Sequence, residues 1–150
     1  MLTGEYPVTM DEKSRLLIPT RLRGELSGDT LILTKGIDQC LWLFSVPKWE
    51  IFSKTVQKSL GMFNPQHLMI QRRIIGSAME LDVDKAGRIG VSSLLRDHAG
   101  LSKDCVVMGM ENYLEIWDEV LYKAYLTQTQ PSFGEAVQGL NLIPDWSQGS

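Results

Sequence analysis

Apolar residues set among polar ones around Thr3–Thr9 and again around Ser77–Val83 read as opening strands. Each runs into a polar turn, Asp11–Ser14 or Asp84–Gly87, and then into a short apolar strand, Leu16–Ile18 or Arg88–Val91. Two strands joined by so short a polar loop predict a hairpin. A short helix comes next in each half. Pro19 suits the start of the first, where a missing N–H costs little, and Leu22 and Leu26 share a face. Ser92 or Ser93 can cap the second, and Gly100 stands where a helix C-terminus favours positive φ.

Two further strands, Thr30–Lys35 and Cys40–Phe44, flank Gly36–Gln39, with counterparts at Asp104–Gly109 and Tyr113–Trp117. Each half then closes with a helix. Pro47 fits the first turn of one, with Trp49, Phe52, Val56 and Leu60 in a stripe; Asp118 can cap the other, with Leu121, Ala124 and Tyr125 on one side. Such aromatic stripes predict core or subunit packing rather than a cofactor box. Between the halves, Asn64-Pro65 reads as an N-cap and a first helical residue, opening a linking helix to about Ile75 that carries Arg72 and Arg73.

The two halves are copies. Met10–Ile18 recurs as Val83–Val91, and an offset of 73 residues separates Asp11 from Asp84 and Arg15 from Arg88. The same offset carries Leu22 onto Leu95, Arg23 onto Arg96, Gly36 onto Gly109, Leu41 onto Leu114 and Trp49 onto Tyr122. Self-similarity in one ungapped register governs the fold expected. The organisation it predicts is a first half over 1–60, a linking helix over 61–76, a second half over 77–127 and a polar, flexible tail over 128–150.

Charge refines this picture. The net charge of −3 argues against nucleic acid only until its distribution is read. From Glu111 onward six acids face one base, Lys123, a net −5 that leaves +2 on residues 1–110. There Lys13, Arg15, Arg21 and Arg23 crowd one stretch. No apolar run reaches the roughly 20 residues of a membrane span. Met1–Pro7 has neither a basic start nor an apolar stretch, so no secretory signal is expected and the cytoplasm is the expected compartment. Cys40 and Cys105 lack metal-ligand spacing and read as small core residues.

Enzyme signatures are nearly absent: there is no Gly-rich phosphate loop and no G-x-S-x-G elbow. His67 and His98, the two histidines, are not repeat equivalents, and no cofactor, metal or small-molecule substrate is expected. The duplicated chemistry is an acid–turn–base unit. Asp11 and Asp84 open tight turns, where a carboxylate can accept backbone N–H groups and stabilise the turn. Arg15 and Arg88 end them. An exposed Asp–Arg pair contributes only ~0–1 kcal/mol, so pairing alone explains the arginines poorly. A guanidinium on a turn, beside Lys13 or Lys85, suits phosphates and guanine edges.

D-x-K-x-R-L-x-I-P-x-R from Asp11 to Arg21, D-x-x-G-R from Asp84 to Arg88, the segment from Asn64-Pro65 to Gln71-Arg72, and L-E-I-W-D at Leu114–Asp118 together resemble the MraZ family, in register from about Thr3 to Tyr125. The resemblance implies an α+β, β-rich fold in which two SpoVT/AbrB-like swapped-hairpin halves interlock into a β-barrel-like core with short flanking helices. It implies a bacterial transcriptional regulator of its own cell division and cell-wall gene cluster, nucleoid-associated and assembled into homo-oligomeric rings, with the D-x-x-x-R motifs on DNA. Two positions depart from the pattern: Ser14 stands where the family usually has Gly, and Ser92 where the first half has Pro19.

The expected partner is double-stranded DNA with repeated sites, contacted by Arg15, Lys13, Arg88, Lys85, Arg21 and Arg23, with Asp11 and Asp84 holding the turns. Lys13, Arg21 and Arg23 surround Arg15 in sequence, which makes the first turn the expected main reader. A rival class is an antitoxin-like interaction module using the same fold to pair with a protein. A hydrolase has little behind it.

Overall fold

The computed structural model describes residues 1–148; the last two residues of the expected tail, Gly149 and Ser150, lie outside the described residues. In chain order the elements are β1 (Thr3–Thr9), β2 (Arg15–Leu17), α1 (Thr20–Arg23), β3 (Thr30–Lys35), β4 (Leu41–Ser45) and α2 (Val46–Ser59). Then come α3 (Pro65–Ile70), a π-helical turn continuing it (Gln71–Ile75), β5 (Met79–Asp82), β6 (Arg88–Gly90), α4 (Ser93–Ala99), β7 (Asp104–Met110), β8 (Leu114–Asp118) and α5 (Glu119–Gln138). A 3₁₀ turn at Trp146–Gln148 follows.

Six strands form one antiparallel sheet in the order β1-β7-β8-β4-β3-β5, and β2 and β6 form a second, two-stranded one. The fold is α+β. Two expectations change here. The large sheet is open, with β1 and β5 as its edges, so the strands do not close a barrel ladder. Nor do the strands flanking each polar turn pair with each other: β1 lies on β7, β5 on β3, and β2 on β6. Local alternation identifies a strand but carries no information about its partner. The partner is set by burial: Leu16 of the three-residue β2 is completely buried, with Ile89 of β6 opposite it in the same core.

The 73-residue repeat appears directly in these ladders. Leu16, paired with Ile89, is flanked by the pairs Arg15–Gly90 and Leu17–Arg88, which exchange under the repeat. Trp42, paired with Glu115, is flanked likewise by Leu41–Ile116 and Leu43–Leu114. Each central pair marks a local two-fold.

Alternation along β3 and β4 divides the interior into two layers. Leu31, Leu33, Leu41 and Leu43 face the core beneath β2 and β6, where Leu16, Ile18, Leu22, Ile89 and Leu95 join them. Ile32, Trp42 and Phe44 face the other way, onto an aromatic layer with Trp49 and Phe52 of α2 and, across the sheet, Trp117 with Tyr122 and Tyr125 of α5. Phe44 stacks on Phe52 with ring centroids 5.1 Å apart, and Trp117 lies 5.0 Å from Tyr125. The side chains of Trp42 and Trp117 both donate to Glu115, at 2.9 and 3.0 Å.

Helix starts follow the expected signals. Ser45, Asn64, Ser92 and Asp118 each accept backbone N–H groups as N-caps, and Gly100 closes α4 with φ +59°. The end of α5 departs from expectation. The helix continues to Gln138, through Pro131, where composition suggested loose chain from Thr127. Alanine, glutamine and glutamate in this stretch are compatible with helix, whereas the polar, glycine-containing composition reads as tail.

Candidate nucleic-acid interface

The two Asp–Arg turns are built alike. Asp11 Oδ1 accepts from the backbone N–H groups of Lys13 and Arg15, both at 2.9 Å, while Oδ2 accepts from Arg15 Nε at 2.8 Å. Asp84 does the same for Ala86 N (3.0 Å), Arg88 N (2.8 Å) and Arg88 Nε (2.9 Å). A backbone bond from Asp11 N to Arg15 O, or from Asp84 N to Arg88 O, closes each loop. The carboxylates thus organise the turn and grip one edge of the guanidinium. The backbone N–H of Arg15 chiefly holds Asp11 below the usual carboxylate value of 3.8, partial desolvation opposing it, and Arg88 acts in the same way on Asp84.

The turns are also tied to each other. Ile18 N donates to Gly87 O at 2.9 Å, and Val91 N donates to Ser14 O at 3.0 Å, so each turn's fourth residue receives the strand of the other half. Between them runs the β2–β6 ladder, with Leu16 and Ile89 turned into the core. Side-chain alternation therefore places Arg15 and Arg88 on the opposite, outward face of this small sheet. Both are about one-third exposed.

The copies differ at their fourth residue. Gly87 has φ +85°, and a Cβ there would lie 1.2 Å from Arg23 Nη1. Lacking one, the second turn lies beneath Arg23, which donates to Ala86 O at 3.3 Å and to Thr20 Oγ1 at 3.2 Å. Ser14 occupies the left-handed region at φ +59° with its side chain present. Arg96, the repeat counterpart of Arg23, instead donates to Val91 O at 2.6 Å. The repeat offset had already paired Arg96 with Arg23, but not the difference in what they touch.

Of the candidate contact residues, Asp11, Arg15, Asp84 and Arg88 come together around the small sheet, and Arg23 joins them by lying on the second turn. Lys13 and Lys85 are exposed on the turns themselves, and Arg21 is exposed on α1; none has a side-chain partner among the described residues. Among the described residues neither terminal amine of Arg15 makes a hydrogen bond, whereas Arg88 Nη1 lies 3.8 Å from Asp11 Oδ2. Arg72 and Arg73 sit on the π-helical turn, on a different element. His67 Nδ1 accepts from Gly61 N, and His98 lies on α4. Among the described residues no cluster of three metal-ligating side chains occurs, and no helix is long and apolar enough to cross a membrane.

Comparison with known proteins matches this duplicated architecture twice over. The family model described as "MraZ protein, putative antitoxin-like" fits residues 1–73 and again 74–141. The chain belongs to the MraZ family. It is 42% identical over 142 residues to the transcriptional regulator MraZ of Treponema denticola, covering 95% of this chain and 99% of that one. It is 38% identical over 138 residues to the protein of the same name in Treponema pallidum strain Nichols (92% and 93% covered) and 36% identical over 143 residues to that of Thermoanaerobacter pseudethanolicus (95% and 99%). The two matches divide the chain between residues 73 and 74, within the π-helical turn Gln71–Ile75.

Proposed function

We propose that this MraZ-family chain is a sequence-specific, DNA-binding transcriptional regulator acting on the promoter of its own cell division and cell-wall gene cluster, in the cytoplasm at the nucleoid. The observation that carries the reading is the placement of two Asp–Arg turns side by side on one outward sheet face, with each guanidinium oriented by its own carboxylate. Gripping Nε leaves the terminal amines of Arg15 free to make paired bonds to a guanine edge or a phosphate. Lys13, Lys85 and Arg21 add mobile charge around them. The exchange of β1 and β5 between the halves supports a swapped-hairpin, AbrB-like ancestry for each half.

One molecule offers only a small footprint, and non-specific affinity is ~10⁻⁴–10⁻⁶ M at physiological salt. Assembly of copies into a ring that engages repeated sites supplies the remainder through effective concentration. The test is retention of the pure protein on double-stranded DNA from upstream of its own gene, against scrambled DNA, over a salt series. Preferential, salt-dependent retention is expected. Binding that does not distinguish the two DNAs, or does not weaken with salt, contradicts the reading and favours protein pairing.

A further inference from the structure

From Gln130 to Ser147 every residue is exposed. The last turns of α5 and the segment after it therefore project from the body, carrying Phe133 (62% exposed), Leu140 (63%), Leu142, Ile143 (78%) and Trp146 (79%). A helix end without packing, interrupted by Pro131, has little stability of its own in water. So many large apolar side chains exposed on one segment mark an interaction site. Leu142, Ile143 and Trp146 also lie past residue 141, where the family match ends.

The repeat locates a complementary surface. α2 and α5 are counterparts, one against β3 and β4 and the other against β7 and β8, and β4 runs antiparallel to β8. Their C-terminal ends consequently point to opposite ends of the molecule. After α2 the chain turns at an exposed apolar corner, Met62 (76%) and Phe63 (93%), beside a cleft of about 390 Å³ lined by Leu60, Met62, His67 and Leu68 among others. Charge differs as well. Residues 46–76 carry Lys48, Lys54, Lys58, Arg72 and Arg73 against Glu50, whereas residues 119–148 carry Glu119, Glu135 and Asp145 against Lys123.

The geometry points to a head-to-tail contact in which the apolar, acidic arm after Gln130 of one copy covers the basic, apolar α2–α3 corner of a second copy. This rests on the assembly reading given above and specifies its contact. Because the two surfaces lie at opposite ends of one chain, the contact is heterologous and repeats from copy to copy.

Two measurements test it. Phe63→Cys and Trp146→Cys proteins are prepared separately, mixed and oxidised; the native Cys40 and Cys105 are buried. A mixed disulfide between the two variants, in excess of either self-pair, is expected, and its absence overturns the contact. Light scattering then compares the full chain with its Leu142→Asp/Ile143→Asp/Trp146→Asp variant, whose changed residues touch no core. The variant should fall to smaller species with unchanged near-UV circular dichroism. If the variant keeps the wild-type mass, the contact is overturned while assembly stands. A wild-type chain that is itself monomeric at high concentration overturns both.

Discussion

Arg88 of the second turn places Nη1 3.8 Å from Asp11 Oδ2 of the first, so one carboxylate faces both arginines. The relationship is not reciprocal, since among the described residues Asp84 forms an ion pair with Arg88 alone. Asp11→Ala should therefore disturb both turns and Asp84→Ala only one. DNA affinity is expected to fall about tenfold further in Asp11→Ala, or ~1.4 kcal/mol, read by fluorescence anisotropy at fixed salt. Equal losses would remove the cross-turn link from the account.

Gly87 resists substitution on two counts, its φ of +85° and the Arg23 guanidinium lying over it, which a Cβ would push aside. Gly87→Ala should lower stability by about 1–3 kcal/mol, seen as a drop in the urea midpoint with little change in slope. The converse change, Ser14→Gly, relieves a side chain held at φ +59° and should raise stability by up to about 1 kcal/mol.

Leu16 is completely buried opposite Ile89, where the halves meet under the turns. Leu16→Ala should cost ~2–5 kcal/mol by chemical denaturation. Because this pair carries the small sheet, the variant should lose DNA affinity as well. A variant of unchanged stability would mean that the β2–β6 pairing does not form.

Acid should loosen both turns. Asp11 and Asp84 are held below their ordinary 3.8, chiefly by the backbone N–H groups of Arg15 and Arg88. Their folded-state values lie below the unfolded ones, so their contribution to stability is complete above the unfolded value and is lost as pH falls through the folded value. Carboxyl chemical shifts followed by NMR should give both aspartates midpoints below 3.8. Midpoints at or above it would mean that the N–H bonds are absent in solution.

Much of this was legible in the chain itself. The offset joining Asp11 to Asp84 and Arg15 to Arg88 identified the equivalent elements, and Asn64-Pro65 and Gly100 marked helix ends through local backbone chemistry. Strand partnership was not legible. Leu16 needs a buried opposite number, and nothing near it in sequence distinguishes Ile89 from the strand just before the turn. The inequality of the turns was visible as Ser14 against Gly87, but its consequence needed Arg23 and Arg96 in place. The run of α5 past Thr127 was missed because polar composition reads alike in a tail and in an exposed helix.

On the proposed function the Asp–Arg turns contact DNA, and Arg15, whose terminal amines make no hydrogen bond among the described residues, contributes more than Arg88. The most direct measurement is binding of Arg15→Ala, Arg88→Ala and the unchanged protein to upstream repeats at one salt concentration, with folding checked by circular dichroism. A loss of about 10- to 100-fold is expected for Arg15→Ala, the ~1–3 kcal/mol of a lost paired base contact, and a smaller loss for Arg88→Ala. Unchanged affinity in both variants would contradict it.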